Sequence, residues 1–281
     1  MIVAAVIRTH SPDVRQAEQM ELGYDRLGAG PILVLLHPLG ADRHVWDPVL
    51  EPLSAHREVI AVDLPGFGES GPLSELPTPR ALARALAEFL ARIGVSRPHV
   101  AGNSLGGWVA LELALAGGAR SVTGLAPAGL WPQPLMPRAR IARRLARAGL
   151  PLVDLLASST AARRLMLAGA VAKPGNVPAD AAAHLVRSYV TAPGFTAVND
   201  AMRGGRFEEL ERITVPVALV WPEHDHLVRP PSWLPPRVRT QILEGCGHIP
   251  MWDDPAAVAR VLLECSEDRD APRSQLRSSL T

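Results

Sequence analysis

The sequence predicts an α/β fold built on a mainly parallel sheet. Three observations carry this. Short apolar runs alternate with longer stretches of helical periodicity, which is the pattern of βαβ units. The strongest run, residues 31–37 (PILVLLH), is almost continuous in aliphatic residues, as suits a strand buried on both faces. The chain has 281 residues, 47% hydrophobic and 20% charged. That suffices for one large core and is too apolar for disorder.

The elements follow in order. Residues 2–9 and 20–27 are expected to open the sheet as an antiparallel pair. Further strands are predicted at 31–37, 58–63 (EVIAVD), 98–102 (PHVAG), 121–126 (SVTGLA), 215–221 (VPVALVW) and 240–244 (TQILE), making a mostly parallel eight-stranded sheet flanked by helices. A helix over 78–93 places Leu82, Leu86, Phe89, Leu90 and Ile93 on one face, with Thr78 as cap and Pro79 in the first turn. Residues 107–116 form a second helix. A third runs over 255–263 behind Asp254 as N-cap.

The alternation stops between about 129 and 207, where the pattern is helical without a convincing strand. This predicts a core in two parts, 1–129 and 207–265, with a helical cap, 130–206, inserted between them. Residues 266–281 (SEDRDAPRSQLRSSLT) are polar and read as a flexible tail. In the cap, Arg140, Arg143, Arg144 and Arg147 fall on one helical face and Ile141, Leu145, Ala148 and Leu152 on the other. The arginines are therefore expected in solvent and the leucines inside. A second cap helix is expected at 179–190.

Composition excludes several functions. Net charge is +1, so nothing supports nucleic-acid binding through phosphate neutralisation. All but one of the 29 Lys and Arg residues are arginine, a compositional bias rather than a site. No run approaches the ~20 apolar residues of a membrane span, so no stable membrane insertion is expected. The apolar run 2–7 is too short for a signal-peptide core. The two cysteines, Cys246 and Cys265, match no disulfide framework or metal pattern. Both are expected to be reduced in a cytoplasmic setting, with Cys246 a small buried side chain.

Residues 102–107 (GNSLGG) contain the pattern G-x-S-x-G, with Ser104 between a predicted strand and a predicted helix. A serine there lies on a tight turn where side chains at Gly102 and Gly106 would collide with backbone. Ligands of open α/β sheets bind at the carboxyl ends of the strands, and the helix N-terminus adds free N–H groups beside Oγ. A serine hydroxyl needs a base. His248, in GCGHIP after the last strand, is the candidate among nine histidines. The base needs a carboxylate. Asp225, in WPEHDHLV, follows a strand directly, with Glu223 as competitor. His224 and His226 flank it, but such near neighbours rarely converge on one ion, so no metal is expected.

The order Ser104, Asp225, His248 resembles that of the α/β-hydrolase fold family, and the resemblance covers most of the chain. DLPGFGES at 63–70 resembles the family's loop after the fourth strand. DRHVWDPVL at 42–50 resembles its first helix, where Trp46 and Leu50 pack. The resemblance implies an oxyanion hole from the backbone N–H of Leu105 and of Leu39, in the loop His37-Pro38-Leu39-Gly40. The family form is H-G-x-G. Pro38 departs from it and cannot adopt a positive φ, so this loop must be shaped differently. The resemblance also implies a serine hydrolase with no cofactor, acting on a small to medium hydrophobic ester or lactone.

Alternatives on the same fold are a carbon–carbon hydrolase of ring-fission products and a cofactor-free perhydrolase or haloperoxidase. A different class is a non-hydrolytic biosynthetic catalyst or a ligand receptor. Ser104 argues against epoxide hydrolases, which resemble this fold but place Asp at the nucleophile. An apolar substrate pocket is expected between cap and core, lined by His37, Leu130, Trp131, Leu135, Met136 and Ile249. His37 is also expected to hold its loop. A monomer or homodimer is expected.

Overall fold

The structure, a computed structural model, describes residues 21–135 and 141–267. Its sheet has seven strands among these residues: β1 (Tyr24–Leu27), β2 (Ile32–Leu36), β3 (Glu58–Val62), β4 (His99–Asn103), β5 (Ser121–Leu125), β6 (Val217–Pro222) and β7 (Arg239–Leu243). Their order is β1-β3-β2-β4-β5-β6-β7, with β1 antiparallel to β3 and the rest parallel. The eighth strand, expected at 2–9, lies outside the described residues, as does most of the predicted tail.

Strand β2 shows why the sheet is central. Val34 and Leu36 join one core cluster, and Leu33 and Leu35 join another. The first cluster fills the face covered by α2 (Pro79–Arg92) and α3 (Leu105–Leu115). The second fills the face covered by α1 (Asp47–Ser54) and α9 (Pro255–Cys265). Burying each leucine contributes roughly 1.5–3 kcal/mol. Thr78 caps α2 by accepting the Ala81 N–H at 3.1 Å, and Asp254 caps α9 by accepting the Ala257 N–H at 2.9 Å.

The chain passes from β2 outward to β3 and then returns to the other side of β2 as β4. The loops leaving β2 and β4 therefore face each other across the point where the winding reverses, the place where open α/β sheets form a crevice. Those loops carry His37 to Gly40 and Ser104.

Between β5 and β6 lies a helical insertion of α4 (Ile141–Gly149), α5 (Val153–Ser158), α6 (Thr160–Met166), α7 (Ala179–Thr191) and α8 (Phe195–Gly204). Helices α4, α5 and α6 all pack against α7. The insertion meets the core at two glycines. The Gly194 N–H donates to the Gly66 carbonyl at 2.9 Å, and a Cβ at Gly66, where φ is +87°, would collide with the Gly194 backbone.

On the arginine face of α4, Arg144 and Arg147 are exposed as expected, but Arg143 departs from expectation. Arg143 points inward and donates to the carbonyls of Tyr189, Val190 and Ala192 at 3.0, 2.9 and 2.8 Å. Its guanidinium also lies 4.6 Å over the Phe195 ring. Leu145, predicted to be inside, is 70% exposed. The reason is the end of α7, whose last carbonyls lack partners within the helix. A cation there satisfies them and interacts well with the helix dipole, which periodicity cannot foresee. Arg140 lies outside the described residues.

Candidate active site

Ser104 stands at the junction of β4 and α3 with φ 53° and ψ −111°. A non-glycine residue at positive φ costs about 1–3 kcal/mol and persists only where its surroundings enforce it. Here the Ser104 N–H donates to the Leu125 carbonyl at 2.9 Å, and its own carbonyl accepts from Ala128 and Trp108. The flanking glycines are steric requirements. A Cβ on Gly102 would overlap the Gly106 carbonyl, and one on Gly106 would overlap the Leu36 carbonyl.

Asp225 and His248 come together on the loops after β6 and β7. His248 Nδ1 lies 2.7 Å from Asp225 Oδ2, and the Asp225 side chain is only 2% exposed. Its other oxygen accepts the N–H groups of Leu227 and Val228 at 2.7 and 3.0 Å. Burial alone would raise the Asp225 pKa, but the His248 bond and charge, with these two N–H groups, hold it below the ordinary carboxylate value. An ionised Asp225 keeps the His248 proton on Nδ1 and leaves Nε2 free to accept. Glu223, the competing acid, is used elsewhere: it accepts the Gly245 N–H at 2.8 Å. His224 is half-exposed beside Glu223.

Asn103, the variable residue before Ser104, joins the two halves. It is fully buried, and its Nδ2 donates to the carbonyls of Leu125 and His248, both at 3.0 Å. The loop carrying His248 is thereby fixed to the strand carrying Ser104. Ser104 Oγ makes no hydrogen bond to His248 among the described residues; such contacts often tighten only when substrate binds. Cys246 is buried, and burial pushes its thiol up to about 11, so it is not a thiolate nucleophile.

The loop after β2 explains the proline. Its left-handed residue is Gly40, at φ 81°, not position 38. The Pro38 carbonyl accepts the Ala41 N–H at 3.2 Å and faces His37 Nδ1 at 2.8 Å. His37 Nε2 accepts the Leu64 N–H at 2.9 Å, which places the ring proton on Nδ1. Burial lowers the His37 pKa, keeping it neutral. His37 is fully buried, so it holds the loop and does not line a pocket, contrary to half of its expected role. Leu105 is the first residue of α3, so its N–H has no acceptor within the helix.

The other predicted lining residues that are described have these contacts. Leu130 and Trp131 pack against the first core cluster. Trp131 donates from Nε1 to the Gly205 carbonyl at 2.8 Å and meets Trp108 edge-on. Leu135 donates its N–H to the Arg203 carbonyl at 2.8 Å. Ile249 packs against the second cluster. Met136 lies outside the described residues.

A second buried carboxylate, Asp42, ties this loop region to the insertion. It accepts from Ser188 Oγ at 2.6 Å and lies 2.8 Å from His184 Nε2 on α7. Burial would raise the Asp42 pKa, but the His184 and Ser188 bonds drive it far below 3.8. The Asp42 bond raises the His184 pKa above 6.5; Asp47 adds to this and Arg187 opposes it. The His44 ring packs edge-on against His184. The raised His184 pKa gives stability that is full below 6.5 and lost as pH rises through its folded value. The lowered Asp42 pKa gives stability present above 3.8 and lost only as pH falls through its folded value. The melting-temperature difference between wild type and His184→Gln is thus expected to be largest at about pH 5–6 and to shrink toward pH 9. A difference that grows toward pH 9 contradicts the assignment.

Residues 33–261 match the model of the alpha/beta hydrolase family. The chain is 32% identical over 202 residues to the epoxide hydrolase EphH of Mycobacterium tuberculosis, a match covering 66% of this chain and 94% of that protein. It is 44% identical over 101 residues to the pimeloyl-[acyl-carrier protein] methyl ester esterase of Aeromonas salmonicida, covering 34% of this chain and 37% of the esterase. A crystal structure of a bacterial membrane phospholipase A superposes with a TM-score of 0.68 at 29% identity, over 88% of this chain and 83% of that one. No described helix is long and apolar enough to cross a membrane. With its parallel sheet, its serine turn and a family match over most of its length, the chain belongs to the alpha/beta hydrolase family.

Proposed function

We propose that this hydrolase is a serine esterase or lactonase that works through an acyl-enzyme on a small to medium hydrophobic substrate. The observation that carries the reading is the Asp225–His248 pair, bonded through Asn103 to the end of the strand that precedes Ser104. In this reading His248 Nε2 takes the Ser104 proton as Oγ attacks the carbonyl carbon. The N–H groups of Leu105 and Leu39 receive the oxyanion. His248 then protonates the leaving alkoxide, and a water activated by the same ring releases the acid. The insertion acts as a cap over the loops after β2 and β3. Gly40 supports this role, since a side chain there would meet Tyr189 and Phe195.

The resemblance to an epoxide hydrolase favours a second reading, epoxide opening. A serine nucleophile argues against it. A carboxylate that opens an epoxide forms an ester, which water can hydrolyse. A serine would form an ether, which this machinery could not release. A panel of p-nitrophenyl esters of increasing acyl length, run beside lactones and terminal epoxides, tests the choice. Turnover of esters or lactones but not epoxides is expected. Diol formation without ester turnover would reverse the assignment.

A further inference from the structure

Asp253 follows His248 by five residues and is a spare acid, because its neighbour Asp254 is the one that caps α9. Its carboxylate accepts three backbone N–H groups. Oδ2 takes Gly247 at 2.7 Å and Ala172 at 2.9 Å, and Oδ1 takes Lys173 at 2.7 Å. Gly247 immediately precedes His248; Ala172 and Lys173 belong to the insertion. On the other side of His248, the Ile249 N–H donates to the Ala170 carbonyl at 2.8 Å. The two segments touch so closely that a Cβ on Gly247 would press into the backbone of Val171 and Ala172.

His248 is thus held from two directions. Asp225 fixes the ring and Asn103 fixes the carbonyl, both from the core. The Gly247 N–H before it is tied through Asp253 to Ala172 and Lys173, and the peptide after it is bonded to Ala170. We propose that Asp253 is a positioning residue that couples the seating of insertion segment 170–173 to the position of His248. This rests on His248 being the general base.

The carboxylate is required because three donors converge on it. An amide at this position turns an acceptor into a donor facing an N–H, and one or more of the three bonds is lost. A displaced base costs rate steeply, since a misplacement of about 1 Å can lower turnover 10²-fold.

The test compares Asp253→Asn, Asp253→Ala and Asp253→Glu with Asp254→Ala, which removes a helix cap and touches neither segment. With p-nitrophenyl butyrate, Asp253→Asn and Asp253→Ala are expected to lose about 10- to 100-fold in kcat with KM changed far less. Asp253→Glu is expected to recover part of the loss. Asp254→Ala should melt earlier yet keep wild-type kcat. If the Asp253 variants lose thermal stability but keep wild-type kcat, as Asp254→Ala does, the residue is structural and the proposal fails. Hydrogen exchange followed by mass spectrometry tests the coupling without any substrate. In Asp253→Ala, amides of 170–173 and 247–249 should exchange faster together while the rest of the sheet is unchanged. Acceleration of only one segment, or of neither, overturns the proposal even if the esterase reading stands. Joint acceleration upholds the coupling even if no ester is turned over.

Discussion

Replacing Ser104 by alanine is expected to abolish ester turnover, a loss on the order of 10⁶-fold in kcat, with the melting temperature little changed. The size follows from the role. Without Oγ no acyl-enzyme forms, and what remains is the slow catalysis that N–H donors and substrate binding can supply to a water molecule. The fold should survive because alanine occupies the same backbone as serine. The strain at φ 53° lies in the turn, enforced by the Leu125, Ala128 and Trp108 contacts, and Oγ contributes nothing to it. Circular dichroism and thermal melting should therefore superimpose on wild type. Activity within tenfold of wild type would show that Ser104 is not the nucleophile.

Replacing Asp225 by asparagine is expected to cost about 10⁴-fold in kcat. Asparagine keeps the shape and can still accept from Leu227 and Val228. Its amide would then present a donor to His248 Nδ1 and favour the tautomer with the proton on Nε2. That nitrogen could no longer accept from Ser104. Glu223→Gln is the matched control. Glu223 receives the Gly245 N–H and lies beside His224, so its loss should change kcat less than tenfold. Equal losses in both variants would mean that the acid had been assigned to the wrong carboxylate.

Much of this arrangement is legible in the sequence. Apolar runs locate six strands within two residues, five of them because a strand buried on both faces tolerates little else; the sixth, β7, is a largely exposed edge strand of the described sheet. The glycines around Ser104 mark a turn that sterics make obligatory, and chain order picks out Asp225 and His248. What escapes the sequence depends on groups brought together from distant positions. Arg143 faces inward because α7 ends beside it, some 46 residues later. Asp42 is buried because His184 and Ser188 meet it from the insertion. Asn103 and Asp253 hold the His248 loop through main-chain atoms, which leave no trace in side-chain patterning. The Pro38 puzzle has the same cause, since the positive φ the loop needs sits two residues later at Gly40.

In the proposed reading, the substrate class follows from the nucleophile more than from the pocket. Serine with an imidazole base suits acyl carbons, from which water can later release the enzyme. The apolar residues of the insertion would select among acyl groups without altering that chemistry. Relatives named as esterases and as an epoxide hydrolase share the family; in the proposed reading, the identity of residue 104 is what separates the two chemistries.

The central claim, that Ser104 is an activated nucleophile, is tested most directly by covalent trapping. The wild-type protein is treated with an alkyl fluorophosphonate, digested, and read by mass spectrometry. The account predicts one adduct on the peptide containing Ser104, its rate falling sharply in Asp225→Asn, and no adduct in Ser104→Ala. Labelling retained in Ser104→Ala, or no labelling of wild type, would contradict it.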